Sequence, residues 1–100
     1  MVLYSVTVNV GDDIHEEWIQ WMREVHVPDV MNTGCFAMHK IMRLKEPKQD
    51  GHTYSFQYYC ESHDKLNEYQ TQHAPALRAD VETRYANKFV AFRTILEVIE

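Results

Sequence analysis

Residues 2–28, VLYSVTVNVGDDIHEEWIQWMREVHVP, change period once, at Gly11. Ahead of that glycine, Val2, Tyr4, Val6, Val8 and Val10 alternate with Ser5, Thr7 and Asn9, the period-two pattern of a half-buried strand. Behind it, Ile14, Trp18, Trp21, Met22 and Val25 recur at helical spacing and form one apolar stripe. GDD breaks the strand and offers Asp12 or Asp13 as an N-cap. Pro28 ends or kinks the helix, because a proline lacks the amide donor and disfavours α geometry at Val27. A short further turn through DVMNTG is predicted, with Gly34 as its left-handed stop.

The second half repeats this order. YSVTV at Tyr4 returns as YSFQY at Tyr54, and His26-x-Pro28 returns as His73-x-Pro75. Between the halves, residues 36–45 and 53–60 read as two strands around a polar EPKQDG turn. SHDKLNEY starts the second helix with Ser62 as its cap; Leu66, Tyr69, His73 and Leu77 share one face, and Pro75 sits in a continuing or restarted first turn. NK closes that helix, and FVAFRTILEVI supplies the last strand. Two right-handed βαβ-like halves interleaved in one antiparallel sheet make an α+β, ferredoxin-like βαββαβ sandwich. The expectation is a single domain over residues 1–100, four antiparallel strands with both helices on one face.

Composition narrows the function classes. A chain of 100 residues, 45% apolar, is the usual size for one domain. A formal charge of -5 leaves no basic field for nucleic acid or an anionic membrane surface. MVLYSVTVNV has no basic segment ahead of its apolar run and reads as a strand, not as a secretory signal, and no stretch approaches a bilayer span. Two cysteines, Cys35 and Cys60, make no disulfide framework and no C-x-x-C pair, although the hairpin brings them near each other at its open end. Reduced thiols and a cytoplasmic location are expected. No two of the six histidines have the four-residue helical spacing of a zinc protease, and His15, His52 and His63 fall where exposure is expected, so no metal is predicted. No Gly-rich phosphate loop and no G-x-S-x-G turn occur, and no cofactor is expected.

Helices cover one face of the sheet, so the other meets water or a partner. Strand parity puts Leu3, Ser5, Thr7 and Asn9 there, with Ser55, Gln57 and Tyr59, and with Ala91, Arg93 and Ile95. For the second strand two parities are open: the favoured one presents Ala37, His39, Ile41 and Arg43, the other Met38, Lys40 and Met42. So mixed a face suits a two-fold homodimer that encloses a partly polar pocket, with His39, Gln57, Tyr59 and Arg93 as candidate small-ligand residues. The alternative is that they pair across the interface and set its register. An RNA-binding sheet is disfavoured, since Tyr4, Tyr54, Phe56 and Tyr58 fall on the helix side.

His26, at the edge of its stripe near a helix C-terminus, is expected to cap that end or to act as general acid or base, with Asp29 three residues on as an orienting carboxylate. His73 reads as a core histidine held by a backbone carbonyl. Trp18 and Trp21 read as core, and Cys35 as an inert thiol.

VTVNV, HEEWIQWM, HVPDVMNTGCF and HAPALRADVETRYANKFVAFRTILEV, in this order, resemble a bacterial family of short single-domain proteins of unknown function, and the likeness covers nearly the whole chain. That family resembles in turn the dimeric α/β-barrel group, in which two ferredoxin-like protomers pack sheet against sheet. The group includes cofactor-light monooxygenases, isomerases and degradative enzymes, several with a His-x-Pro phrase after the first helix; His26 and Pro28 match it by position. The resemblance implies a fold and a homodimer and brings no activity with it. It leaves a small-ligand-binding protein as the leading expectation. A non-catalytic assembly module is the first alternative. The second is a proton-transfer or oxygen-dependent enzyme without a tightly held metal, in which His26 is acid or base and Arg93 stabilises negative charge.

Overall fold

A computed structural model describes residues 1–45 and 50–100. Strands β1 (Val2–Val10), β2 (Met38–Arg43), β3 (His52–Cys60) and β4 (Phe89–Glu97) form one antiparallel sheet in the order β2-β3-β1-β4. The alternating valines of β1 place it at the centre, paired on one side with β3 and on the other with β4. Two helical arms lie on one face, the ferredoxin-like arrangement that the periodicity predicts. Residues 46–49 of the EPKQDG turn lie outside the described residues. At its end Gly51 has φ 70, and a side chain there would collide with the Val10 carbonyl, so only glycine fits. Among the described residues no helix is long and apolar enough to cross a membrane.

Neither His-x-Pro phrase stops its helix. The first arm runs as α1 (His15–Trp21), a π turn (Met22–His26) and α2 (Val27–Met31); the second as α3 (His63–Glu68), a π turn (Tyr69–His73) and α4 (Ala74–Tyr85). The wide turns are visible in the hydrogen bonds Val27 N–H to Met22 O and Ala74 N–H to Tyr69 O, each five residues back. In an uninterrupted α register a proline ring meets the carbonyl four residues before it. Widening the turn just ahead of Pro28 and Pro75 changes which carbonyl lies there, so each arm passes through its proline. The extra residue also rotates the buried stripe. Past Met22 the inward positions become Val27 and Val30, while Val25, which a plain α period would bury, is exposed. In the second arm the step runs from Tyr69 to Ala74 and then to Val81 and Tyr85.

The ends of the arms follow local chemistry. Ser62 accepts the Lys65 N–H at 3.2 Å, the predicted N-cap. Gly34 (φ 76) and Asn87 (φ 63) stop the first and second arms in left-handed geometry. The first arm corrects one expectation: its N-cap position is Ile14, with no side-chain cap, because Asp12 bonds His52 and Asp13 pairs with Lys88.

Register corrects the assignment of two strands. Tyr4, Val6 and Val8 face Ile95, Arg93 and Ala91 directly, so these three lie on the helix-covered side, and Val90, Phe92, Thr94 and Leu96 take the open one. Met38, Lys40 and Met42 sit opposite Tyr59, Gln57 and Ser55, so the second parity of β2 is the real one, and His39, Ile41 and Arg43 turn toward the helices. Of the four residues assigned to the open face, Gln57 and Tyr59 are there, and His39 and Arg93 are not. The reason is that β4 is apolar at Phe89 through Phe92 and β2 has no period of two, so neither carries its parity in its composition; pairing with a neighbour sets it.

The core lies between sheet and arms. Trp18, Phe56, Val10, Val30 and Cys60 are the largest of its fully buried members. Side chains of this kind contribute roughly 1.5–3 kcal/mol each when removed from water. Trp18 meets Tyr54 and Phe56 at ring-centroid separations of 5.6 and 5.8 Å, and Tyr4, Phe36, Tyr58 and Tyr69 form a second aromatic cluster beside them.

Candidate functional site

A cavity of about 240 Å³ opens between the sheet and the two arms. Its apolar walls come from Val6, Val8 and Ala91 of the sheet, Trp18 and Met22 of the first arm, and Leu77 and Val81 of the second. Phe56, Tyr58, Tyr4 and Tyr69 add aromatic surface. Burial pushes the Tyr58 and Tyr69 hydroxyls well above the usual tyrosine range, so they remain neutral. Four polar or charged side chains, His26, Arg78, Glu82 and Arg93, also border the space; the last three are exposed and mark its opening. Arg78 is fixed there by donating to the Tyr4 hydroxyl at 2.9 Å. Trp18 brings a further donor: its indole N–H is buried and has no partner among the described residues.

His26 and Arg93, from a π turn and an edge strand, therefore meet at one space. His26 is neither a helix terminus nor a cap, as its expected role required; it sits inside a continuous arm, stacked on Trp21 at 5.9 Å, with no side-chain cap bond. Burial lowers its affinity for a proton below the ordinary histidine value of 6.5; Asp29 and Asp80 oppose the shift, and the Arg93 charge reinforces it. The helix-end argument for a protonated imidazole is overturned by this desolvation. Asp29 acts through charge, without a hydrogen bond to the imidazole among the described residues.

The other assigned residues lie elsewhere. His39 lines a separate groove between the first arm and β2, beside Arg23, Met31 and Arg43. On the open face, Gln57 donates to Ser55 at 3.3 Å, and Tyr59 lies under the Lys40 ammonium. His73 is half-buried against Tyr69, with no backbone-carbonyl partner among the described residues, which corrects the core-histidine reading.

Sequence reasoning missed a second polar cluster. His15, expected to be exposed, is buried, bonded to the Tyr54 hydroxyl at 2.6 Å and stacked on His52 at 3.7 Å. The Arg43 guanidinium lies 2.7 Å from His52 Nδ1, and His52 Nε2 lies 2.5 Å from Asp12 Oδ1. Arginine only donates, so Nδ1 accepts and Nε2–H donates to the carboxylate, which fixes the tautomer. The cluster ties the β1–α1 turn to β3 and explains why neither aspartate caps the helix. A histidine directly after the turn, with another at the start of β3, was the available signal, legible only once β1 and β3 were paired.

Burial also lowers His15, with the neighbouring His52 next in effect. For both histidines the unfolded chain holds protons more tightly than the folded one, so stability rises with pH between the depressed folded value and the ordinary one, and is lost as pH falls through it. Lowering the pH from about 7 to about 5 is therefore expected to reduce the urea midpoint. His26→Gln should make that fall shallower, and an unchanged slope would show that His26 is not a proton-poor site in the folded protein.

Known proteins share the architecture. A dimeric ferredoxin-like protein from an uncultured marine organism has a TM-score of 0.76 at 13% identity, over 99% of this chain and 94% of that one. An ethyl tert-butyl ether D family protein from Bacillus halodurans has a TM-score of 0.72 at 14% identity, over 99% of this chain and all 100% of its own. SnoaB, a cofactor-independent oxygenase from Streptomyces nogalater, has a TM-score of 0.64 at 18% identity, over 99% and 93% of the two chains. At such identities the likeness is one of fold. No curated protein matches the chain. With a family match that runs over residues 1–99, the chain belongs to DUF4286, a domain of unknown function.

Proposed function

We propose that the protein is a homodimer whose protomers each bind a small, largely apolar organic acid or phenol in the cavity beneath the helical arms, with His26 as proton acceptor and Arg93 as partner for the negative charge. The observation that carries this reading is the meeting of His26 and Arg93 at one cavity walled by aromatic and aliphatic side chains. An apolar space with a few convergent polar groups is the usual form of a small-molecule site. A desolvated, neutral imidazole is suited to accept a proton from an acidic O–H or C–H, and the guanidinium stabilises the anion left behind. The fold likeness to a cofactor-independent oxygenase supports chemistry supplied by such side chains. Two buried free thiols fit a reducing cytoplasm.

The homodimer rests on the open face. Val90, Phe92 and Leu96 at one edge, and Met38 and Met42 at the other, leave large apolar side chains in water around a polar centre of Ser5, Gln57 and Thr94. Patches of this kind mark interaction surfaces, and a dimeric neighbour of the same fold points to a second copy.

Salicylate and 1-hydroxy-2-naphthoate are suitable probes in a thermal-shift titration, since a ligand of the folded state raises Tm by an amount that grows with the logarithm of its concentration relative to Kd. Both are expected to raise Tm in the wild type. Arg93→Gln should weaken binding by roughly 10-fold or more, as expected when a charge-assisted partner is lost, whereas His26→Gln should bind and no longer shift the phenol's ionisation. No rise in Tm would leave the assembly module as the function, and an undiminished rise in Arg93→Gln would remove Arg93 from the site.

A further inference from the structure

We propose that Cys35, Glu68 and His73 form a binding site for a single zinc ion. The site is separate from the cavity, which none of the three lines. Cys35 is buried directly after Gly34, where the first arm stops. Glu68 is the last residue of α3, and His73 the last of the second π turn; both are half-buried. One ligating atom from each, a sulfur, a carboxylate oxygen and an imidazole nitrogen, lie within 4.8 Å of one another.

The π turn creates this meeting. Residues five apart on an α-helix point about 140° away from each other, at roughly 100° per residue. An i→i+5 turn brings them over one another. The first arm shows the same effect with different chemistry, since Trp21 and His26, also five apart across a π turn, stack at 5.9 Å. A search for ligands four residues apart passes over the pair Glu68 and His73 for this reason.

Thiolate, imidazole and carboxylate form a ligand set of intermediate softness that suits zinc, and three protein ligands leave a fourth position for water or a solute. The Cys35 thiol points at Glu68 Oε2, 3.3 Å away. Zinc replaces that proton: the S–H bond breaks, the proton leaves to solvent, and sulfur, carboxylate and imidazole bind the ion. Two negative ligands balance its charge, so the half-buried site is neutral when filled. Lys65, 3.9 Å from Glu68 Oε2 on a half-exposed side chain, is free to withdraw. Because Tyr69 borders the cavity and stacks beside His73 at 6.4 Å, the ion would also brace a wall of the ligand site.

The test is a titration of the full chain with Co²⁺ under a non-chelating reductant, followed by competition with Zn²⁺. One equivalent of Co²⁺ should produce a thiolate-to-metal charge-transfer band and the intense visible bands of a tetrahedral site, and Zn²⁺ should remove both and raise Tm. Cys35→Ser should abolish the charge-transfer band, and Glu68→Gln and His73→Gln should each weaken binding at least tenfold. His52→Gln, in the other histidine cluster, should leave the Co²⁺ bands and the metal affinity unchanged. A wild type without the thiolate band, or a band that survives Cys35→Ser, overturns the site. Neither outcome bears on salicylate binding, so this proposal and the cavity reading fail separately.

Discussion

Phe92→Glu is expected to turn the proposed dimer into a monomer without unfolding the chain. Phe92 is 61% exposed on the open face of β4, opposite Thr7 and away from the core, so the folded protomer loses little when it is replaced. In a two-fold contact the substitution acts twice: it deletes an aromatic anchor and buries a carboxylate without a partner. Loss of an anchor costs about 2–4 kcal/mol, and an unpaired buried charge adds a similar amount, so the dimer should weaken by at least ~10³-fold. Light scattering at roughly 10 µM, a concentration at which a micromolar dimer is well populated, should give twice the 11.9 kDa chain mass for the wild type and the single-chain mass for the variant. A wild type that runs as one chain would remove the dimer from the proposal. A variant that remains paired would move the interface to another face.

Trp18→Ala should be the most damaging truncation in the core. The side chain is fully buried, packed against Tyr54 and Phe56, and borders the existing cavity. Truncating a buried aromatic to alanine costs about 3–5 kcal/mol, and a space already open beside it limits collapse of the surroundings. Since the indole N–H has no partner among the described residues, its removal strands no acceptor there, and the whole cost is packing. For a domain of this size each kcal/mol lowers Tm by about 4–8 °C, so a fall of at least ~12 °C is expected in thermal denaturation. A loss under about 2 kcal/mol would mean that the arms close over the gap, and that the cavity is a yielding space and not a built one.

How much of the site was legible follows the same physics. β1 and β3 carry a clean alternation, and their faces were read correctly down to Gln57 and Tyr59. β4 is apolar on both sides because its helix face meets the core and its other face is the exposed apolar edge. With no contrast between odd and even positions, Arg93 was placed on the wrong side. Register with β1 carries Arg93 to the helix side, where it borders the same cavity as His26. The π turns were hidden in another way: a proline in a helical pattern normally signals a stop, and nothing in His-x-Pro distinguishes a stop from a widened turn. Only packing of both flanks of the arm against one sheet makes continuation through the proline favourable.

From its order of residues alone this chain determined strand, helix, strand, strand, helix, strand, the left-handed stop at Gly34, the Ser62 cap, and the aromatic core under the helices, because each depends on neighbours within one element. Tertiary structure decided which side of β2 and β4 faces the helices, the burial of His15, and the gathering of Cys35, Glu68 and His73. Those depend on register between strands and on the phase of a helix across a π turn, and a shift of one residue in either moves a side chain to another face.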